Sequence, residues 1–140
     1  MKAIEHGTPE SVWVSQPIGR DVVKAFNNIL AYTLENKGTS QESENRIAMA
    51  ISGNRSSEKE KVATLINGIG FDIVDNRQLT DSWKHQSGTP AYCTELTKEE
   101  LSVALEKANK ANAPLLRDKI IENFSHEDTV NLNRKIYNEK

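Results

Sequence analysis

Beyond residue 20 the chain alternates short apolar runs with stretches of helical spacing. Val22 to Phe26, "VVKAF", is brief, β-branched and mostly apolar, as in a strand buried on both faces. Lys24 interrupts it and reads as a lysine reaching the surface from one face or end that is not enclosed. In "NNILAYTLEN" the residues Ile29, Leu30, Thr33 and Leu34 fall at helical spacing, and "NKG" (Asn36 to Gly38) supplies a stop. The polar stretch from Gly38 to Asn45 predicts an exposed loop, and "RIAMAISGN" (Arg46 to Asn54) a second buried strand ending at Gly53.

Ser57 and Glu60 then have capping-box spacing, followed by Val62, Ala63, Leu65, Ile66 and Ile69 on one helical face. "GIGF" closes that helix, and "FDIVD" (Phe71 to Asp75) predicts a third strand. From Asn76 to Thr94 the chain is irregular and rich in turn residues. A second capping box, Thr97 with Glu100, opens a long helical region striped by Leu101, Ala104, Leu105, Ala108 and Ala111. Pro114 kinks it or starts another helix carrying Leu116, Ile120 and Phe124. The pattern predicts an α/β chain with a short, mainly parallel sheet of about three strands and about four helices. Residues 1–125 read as one α/β domain and 126–140 as a polar tail or weak helix.

With 140 residues, 36% hydrophobic and 27% charged, the chain has the composition of a soluble globular domain. A net charge of -2 offers no basic surface to nucleic acid, and no apolar run approaches the length of a membrane span. The amino terminus lacks the apolar core of a signal peptide, so a cytoplasmic location is expected. A lone cysteine, Cys93, excludes an internal disulfide and multi-cysteine metal motifs. His6, His85 and His126 are too far apart for a zinc motif, and no metal site is expected.

Three segments, "VVKAFNNILAYTL", "FDIVDNRQLTDSWKHQSGTPAYC" and "NAPLLRDKI", together resemble the carboxyl-terminal part of the NADP oxidoreductases of the coenzyme F-420-dependent type. The "VVKAFN" run is also similar to the matching strand of STEAP-type metalloreductases. The resemblance spans roughly Gly7 to Phe124 and implies a partial Rossmann-like, three-layer fold. Family members begin with a strand and a G-x-G-x-x-G turn that sets the pyrophosphate on a helix amino terminus. Here only Gly68 and Gly70 are spaced G-x-G; they end a helix instead of opening one, and residue 73 is Ile. The resemblance therefore implies a member lacking its amino-terminal nucleotide-binding half, with NADP as the family cofactor but not held tightly by this chain alone. Its expected partner is that half as a separate chain, or a second copy that covers the open sheet edge.

The resemblance also implies that Asn27, and with it Asn28, faces the crevice where a nicotinamide meets its acceptor, since an amide donates and accepts while uncharged. Asn28 reads equally as a helix cap. Trp83, His85, Gln86 and Tyr92, in the long aromatic loop, are candidates for the substrate side, although Trp83 and Tyr92 equally suit packing over the sheet. Cys93 reads as a packed thiol, and no catalytic residue can be assigned. Hydride transfer asks the protein mainly to orient two rings, so a missing acid–base dyad is compatible with that chemistry. The competing expectation is a non-enzymatic, oligomerising α/β domain derived from the same family.

Overall fold

The computed structural model describes residues 7–109. Within them the order is α1 (Glu10–Ile18), β1 (Val23–Lys24), α2 (Ala31–Asn36), β2 (Ala48–Gly53), α3 (Ser56–Gly68), β3 (Asp72–Asp75), a 3-10 helix (Leu79–His85) and α4 (Lys98–Glu106). The three strands form one mixed sheet in the order β1-β2-β3. β2 and β3 run parallel, joined by a crossover through α3, whereas β1 runs antiparallel to β2 with Lys24 opposite Ser52. The α/β class and three-strand sheet agree with the hydrophobic pattern. The helix at residues 10–18 was not among the expected elements.

β2 is the axis of the fold, and all six of its residues are buried. Its pleat sends Ala48 and Ala50 to one face, against Ala91, Leu101, Ala104 and Leu105. Met49 and Ile51 point to the other, against Ile29, Ile66 and Phe71. The sheet is thus the middle of three layers. Small alanines on one face let α4 come close; larger side chains on the other fill the space under α3.

The helix boundaries show where local signals won and lost. Thr97 accepts from the Glu100 backbone N–H while Glu100 reaches back to Thr97, so the expected capping box forms. The Ser57–Glu60 box does not: α3 starts two residues earlier, with extended Arg55 at the N-cap and no side-chain cap. Ser57 therefore already lies inside the first turn, where its hydroxyl cannot cap. On the same helix Ile66 is fully buried and Val62 and Ala63 join the core, but Leu65 and Ile69 remain exposed. The stripe expected after Ala108, and the elements expected around Ala111, Pro114, Leu116, Ile120, Phe124 and the tail 126–140, lie outside the described residues.

β1 pairs with only the last two residues of β2. Beyond it, the flank of β2 is completed by a side chain. Asn28, fully buried, donates from Nδ2 to the Ala48 carbonyl at 3.1 Å and accepts from the Ala50 N–H at 3.0 Å. Its amide replaces the peptide group that a longer β1 would have presented. The Asn28 carbonyl in turn accepts from the Thr94 N–H at 2.6 Å, tying the far loop to the same place. Asn28→Leu, of similar volume, would leave a buried carbonyl and a buried N–H of β2 unpaired. A loss of about 2–4 kcal/mol in urea unfolding is expected. A loss below about 0.5 kcal/mol would show that the ladder does not need it.

Candidate functional site

Phe26 leaves β1 with φ 69, in the left-handed region that a bulky residue rarely adopts. That turn sets the two amides on different tasks. Asn28 goes to the β2 backbone as described, so it neither caps α2, whose N-cap is Leu30, nor reaches the surface. Asn27, half-buried, clamps His85: its Nδ2 donates to the His85 carbonyl at 2.5 Å and its Oδ1 faces the ring Nδ1 at 3.0 Å.

This clamp decides the imidazole tautomer. With Asn27 Nδ2 already donating, Oδ1 is an acceptor, so His85 Nδ1 carries the hydrogen and Nε2 is bare. Nε2 lies 2.9 Å from Ser52 Oγ, which donates to it. Ser52 Oγ in turn accepts from Asn76 Nδ2 at 2.9 Å, and that amide also reaches the Asp81 carbonyl at 2.9 Å. Asn27, His85, Ser52 and Asn76 thus form one chain of hydrogen bonds through the sheet, and the last three are buried.

Burial first, and the nearby Lys24 ammonium second, lower the His85 pKa from 6.5 to about 3. The ring is neutral near pH 7, too weak a base and too poor a proton donor for acid–base work. Its partner is an amide, where a triad would carry a carboxylate. The group positions; it does not exchange protons.

Around its outer end gather groups from three elements. Lys24 is half-buried instead of reaching freely to the surface, and burial lowers its pKa against the opposing pull of Glu10. Tyr92, with Ser87 and Cys93 beside it, has its phenol pKa raised chiefly by burial. Cys93 is packed at 8% exposure, its own pKa also raised by burial. Trp83 is half-buried in the 3-10 helix, itself closed by a reciprocal pair between Gln78 and Asp81. Gln86 is half-buried, and its Oε1 is enclosed with no hydrogen-bond partner among the described residues.

The structure therefore brings Asn27, His85, Gln86 and Tyr92 into one neighbourhood and adds Glu10, Lys24, Ser52, Asn76 and Ser87. The location differs from the expected one. Because β1 runs antiparallel to β2, the chain beyond Lys24 leads away from the rim formed by the carboxyl ends of β2 and β3. Lys24 and Ser52, opposite each other, stand at that rim, and Asn27 connects to it only through His85. Ser52 was the missed residue with a readable signal: a hydroxyl in a wholly apolar strand must find a buried partner.

An open cavity of about 630 Å³ lies elsewhere, between the end of α1 and the start of α3, lined by Ser15, Gln16, Arg20, Asp21, Arg55 and Glu58. Arg55 there is already paired with Asp21 at 2.7 Å. Among the described residues no group of three or more His, Cys, Asp or Glu gathers as metal ligands would. No described helix is long and apolar enough to cross a membrane.

No family model matches the chain. It is 33% identical to the protein YjhV of Escherichia coli (strain K12) over 101 residues, 67% of this chain and 74% of that one. Its fold is similar to the crystal structure of the protein SMa0349 from Sinorhizobium meliloti, with a TM-score of 0.59 and 33% identity. That match covers 66% of this chain but 45% of SMa0349, so the chain spans less than half the length of the solved protein.

The depressed His85 pKa has a definite sign. Between pH 6.5 and about 3 the unfolded chain binds a proton that the folded one refuses. Stability is therefore full above pH 6.5 and declines as the pH falls, by about 1.4 kcal/mol per unit from this side chain. Urea unfolding at pH values from about 7 to 4 should show a steeper decline for the native chain than for His85→Gln. Parallel profiles would mean that the ring titrates normally.

Proposed function

This chain belongs to the family of the E. coli protein YjhV, and on that premise we propose that it is the substrate-side half of an NADP-dependent oxidoreductase fold of the coenzyme F-420-dependent type. It is incomplete as a catalyst until a nucleotide-binding half is supplied. The single observation that carries this reading is the Gln86 acceptor: a buried carbonyl oxygen, next in sequence to His85, with no partner among the described residues. An enclosed orphan of that kind costs about 1–3 kcal/mol unless a donor reaches it. A carboxamide N–H, such as a nicotinamide presents, is a donor of the right kind.

Two further features support it. Asn27, His85, Ser52 and Asn76 are uncharged and mutually fixed, which suits a wall that orients a ring without trading protons with it. The length of SMa0349 beyond the match leaves room for a second half in a related protein. NADPH, when bound, would supply the hydride; Gln86 would hold its carboxamide, and the phosphates would need donors from elsewhere. The residues present fit only the nicotinamide end, because the G-x-G pair at Gly68 and Gly70 terminates α3 and precedes β3. Gly70 has φ 102 and packs against Thr39, a closing turn and not a cradle.

A second reading rests on its own observation: α1 leaves Trp13, Val14 and Ile18 exposed. That favours a non-enzymatic domain whose role is association.

NADPH titration, read by energy transfer from Trp13 and Trp83, separates the two. The chain alone should bind more weakly than about 1 mM. Added to the part of SMa0349 that lies outside the match, it should reach the micromolar range, about -8 kcal/mol, and Gln86→Leu should weaken that by about tenfold. Absence of binding in both conditions, or indifference to Gln86→Leu, removes the oxidoreductase reading.

A further inference from the structure

α1 is a nine-residue helix with no buried residue of its own. Its inner side, with Ser11, Val12 and Ser15 half-buried, packs on the 3-10 helix. Its other side is apolar. Trp13 is 40% exposed, Val14 45% and Ile18 54%, and Pro17 is exposed beside them. Trp13 and Pro17 are four residues apart, as are Val14 and Ile18, so they make two adjacent rows of the kind that interlock when helices pack. Tyr32 and Leu34 are likewise exposed together on α2, but α1 carries three such large apolar side chains among the described residues.

The charges bracket these rows with opposite signs. Glu10, half-buried and also acting on the Lys24 charge, stands in the first turn, and the exposed Arg20 follows the left-handed Gly19 that ends the helix. A parallel neighbour with the same pattern would set like charges together. An antiparallel one sets each Arg20 toward the other's Glu10 and opposes the two helix dipoles. A surface that is apolar in the middle and carries one sign at each end is complementary to its own copy under a twofold rotation.

We infer that this side of α1 is the docking surface for a second copy of the chain, antiparallel and related by a twofold axis, with each Trp13–Pro17 row against the other's Val14–Ile18 row. The assignment rests on the association reading above for the existence of a partner, and is independent of any nucleotide. The open edge of β1 is a poorer meeting place for a copy. In antiparallel self-pairing centred on Lys24, two ammonium groups would stand directly opposite each other.

Sedimentation equilibrium of the full chain, without nucleotide, tests it. A dimer with Kd on the order of 10 µM is expected, weakening as salt is added. Val14→Asp with Ile18→Asp should raise Kd at least about tenfold, with the far-UV circular dichroism unchanged. Arg20→Glu, at an exposed position outside the helix, should raise it about fivefold, and adding Glu10→Lys to it should restore association. A chain monomeric up to about 100 µM overturns the inference. So does a dimer whose Kd the Val14/Ile18 pair and Arg20→Glu both leave unchanged, or one that the nucleotide-binding half displaces from α1. Because no NADPH is present, none of these outcomes bears on the oxidoreductase reading.

Discussion

A central strand must have every peptide group on both flanks paired, and here the neighbour on one flank is too short. β1 supplies two residues of pairing, after which the chain turns away at Phe26. The Asn28 amide supplies the missing acceptor and donor to Ala48 and Ala50. With β2 wholly buried, no water could do this. The two hydrophobic faces, the position of α4 and the seating of the loop through Thr94 all follow from β2 being satisfied at that point. A hydrophobic residue at position 28 would pack well enough but would leave the strand's polarity exposed to its own core.

The neighbouring amide takes the opposite role. Asn27 does nothing for the ladder; it holds an imidazole in one tautomer, and the imidazole holds a serine at the rim. Each member restricts the next, so the chain of hydrogen bonds behaves as one rigid unit. Its rigidity and its neutrality have a common origin, because the burial that orders His85 also suppresses its charge. Arg46 does comparable work on the other side of the sheet. It is 6% exposed, contacts Asp72 at 3.0 Å and bonds Asn67 and Phe71, and so ties the end of α3 to the start of β3. A buried cation with several partners fixes geometry more than it adds stability.

Much of the layout was legible in the hydrophobic pattern. Short apolar runs marked β2 and β3, the period of Leu101, Ala104 and Leu105 marked the buried side of α4, and Thr97 with Glu100 marked its start. The direction of β1 was not, since "VVKAF" is equally apolar in either orientation and only pairing partners decide it. α1 was missed because its apolar residues face outward and produce no inward stripe. Of the candidate site, the irregular, aromatic character of the loop holding His85, Gln86 and Tyr92 was readable from its composition. The links that organise it were not, because Asn27 meets His85 and Ser52 across the sheet and not along the chain. Asn28 shows the limit most clearly. Its identity as an amide was visible, but whether an amide caps a helix, binds a ligand or mends a strand depends on which backbone groups lie within 3 Å or so.

The anchors of the first strand lie far along the chain. Asn27 meets its partner 58 residues later, and Asn28 meets Thr94 after 66. As the chain is synthesised, β2, α3 and β3 can assemble from neighbouring residues soon after they emerge. The segment from Phe26 to Ile29 cannot settle until residue 94 is available to close the loop. Its ordering is therefore a late event, opposed by the entropy of joining distant points and coupled to the last part of the described fold to appear. The two consecutive asparagines act as a latch closed from downstream: the segment after the first strand is secured only when the loop that follows the sheet is present.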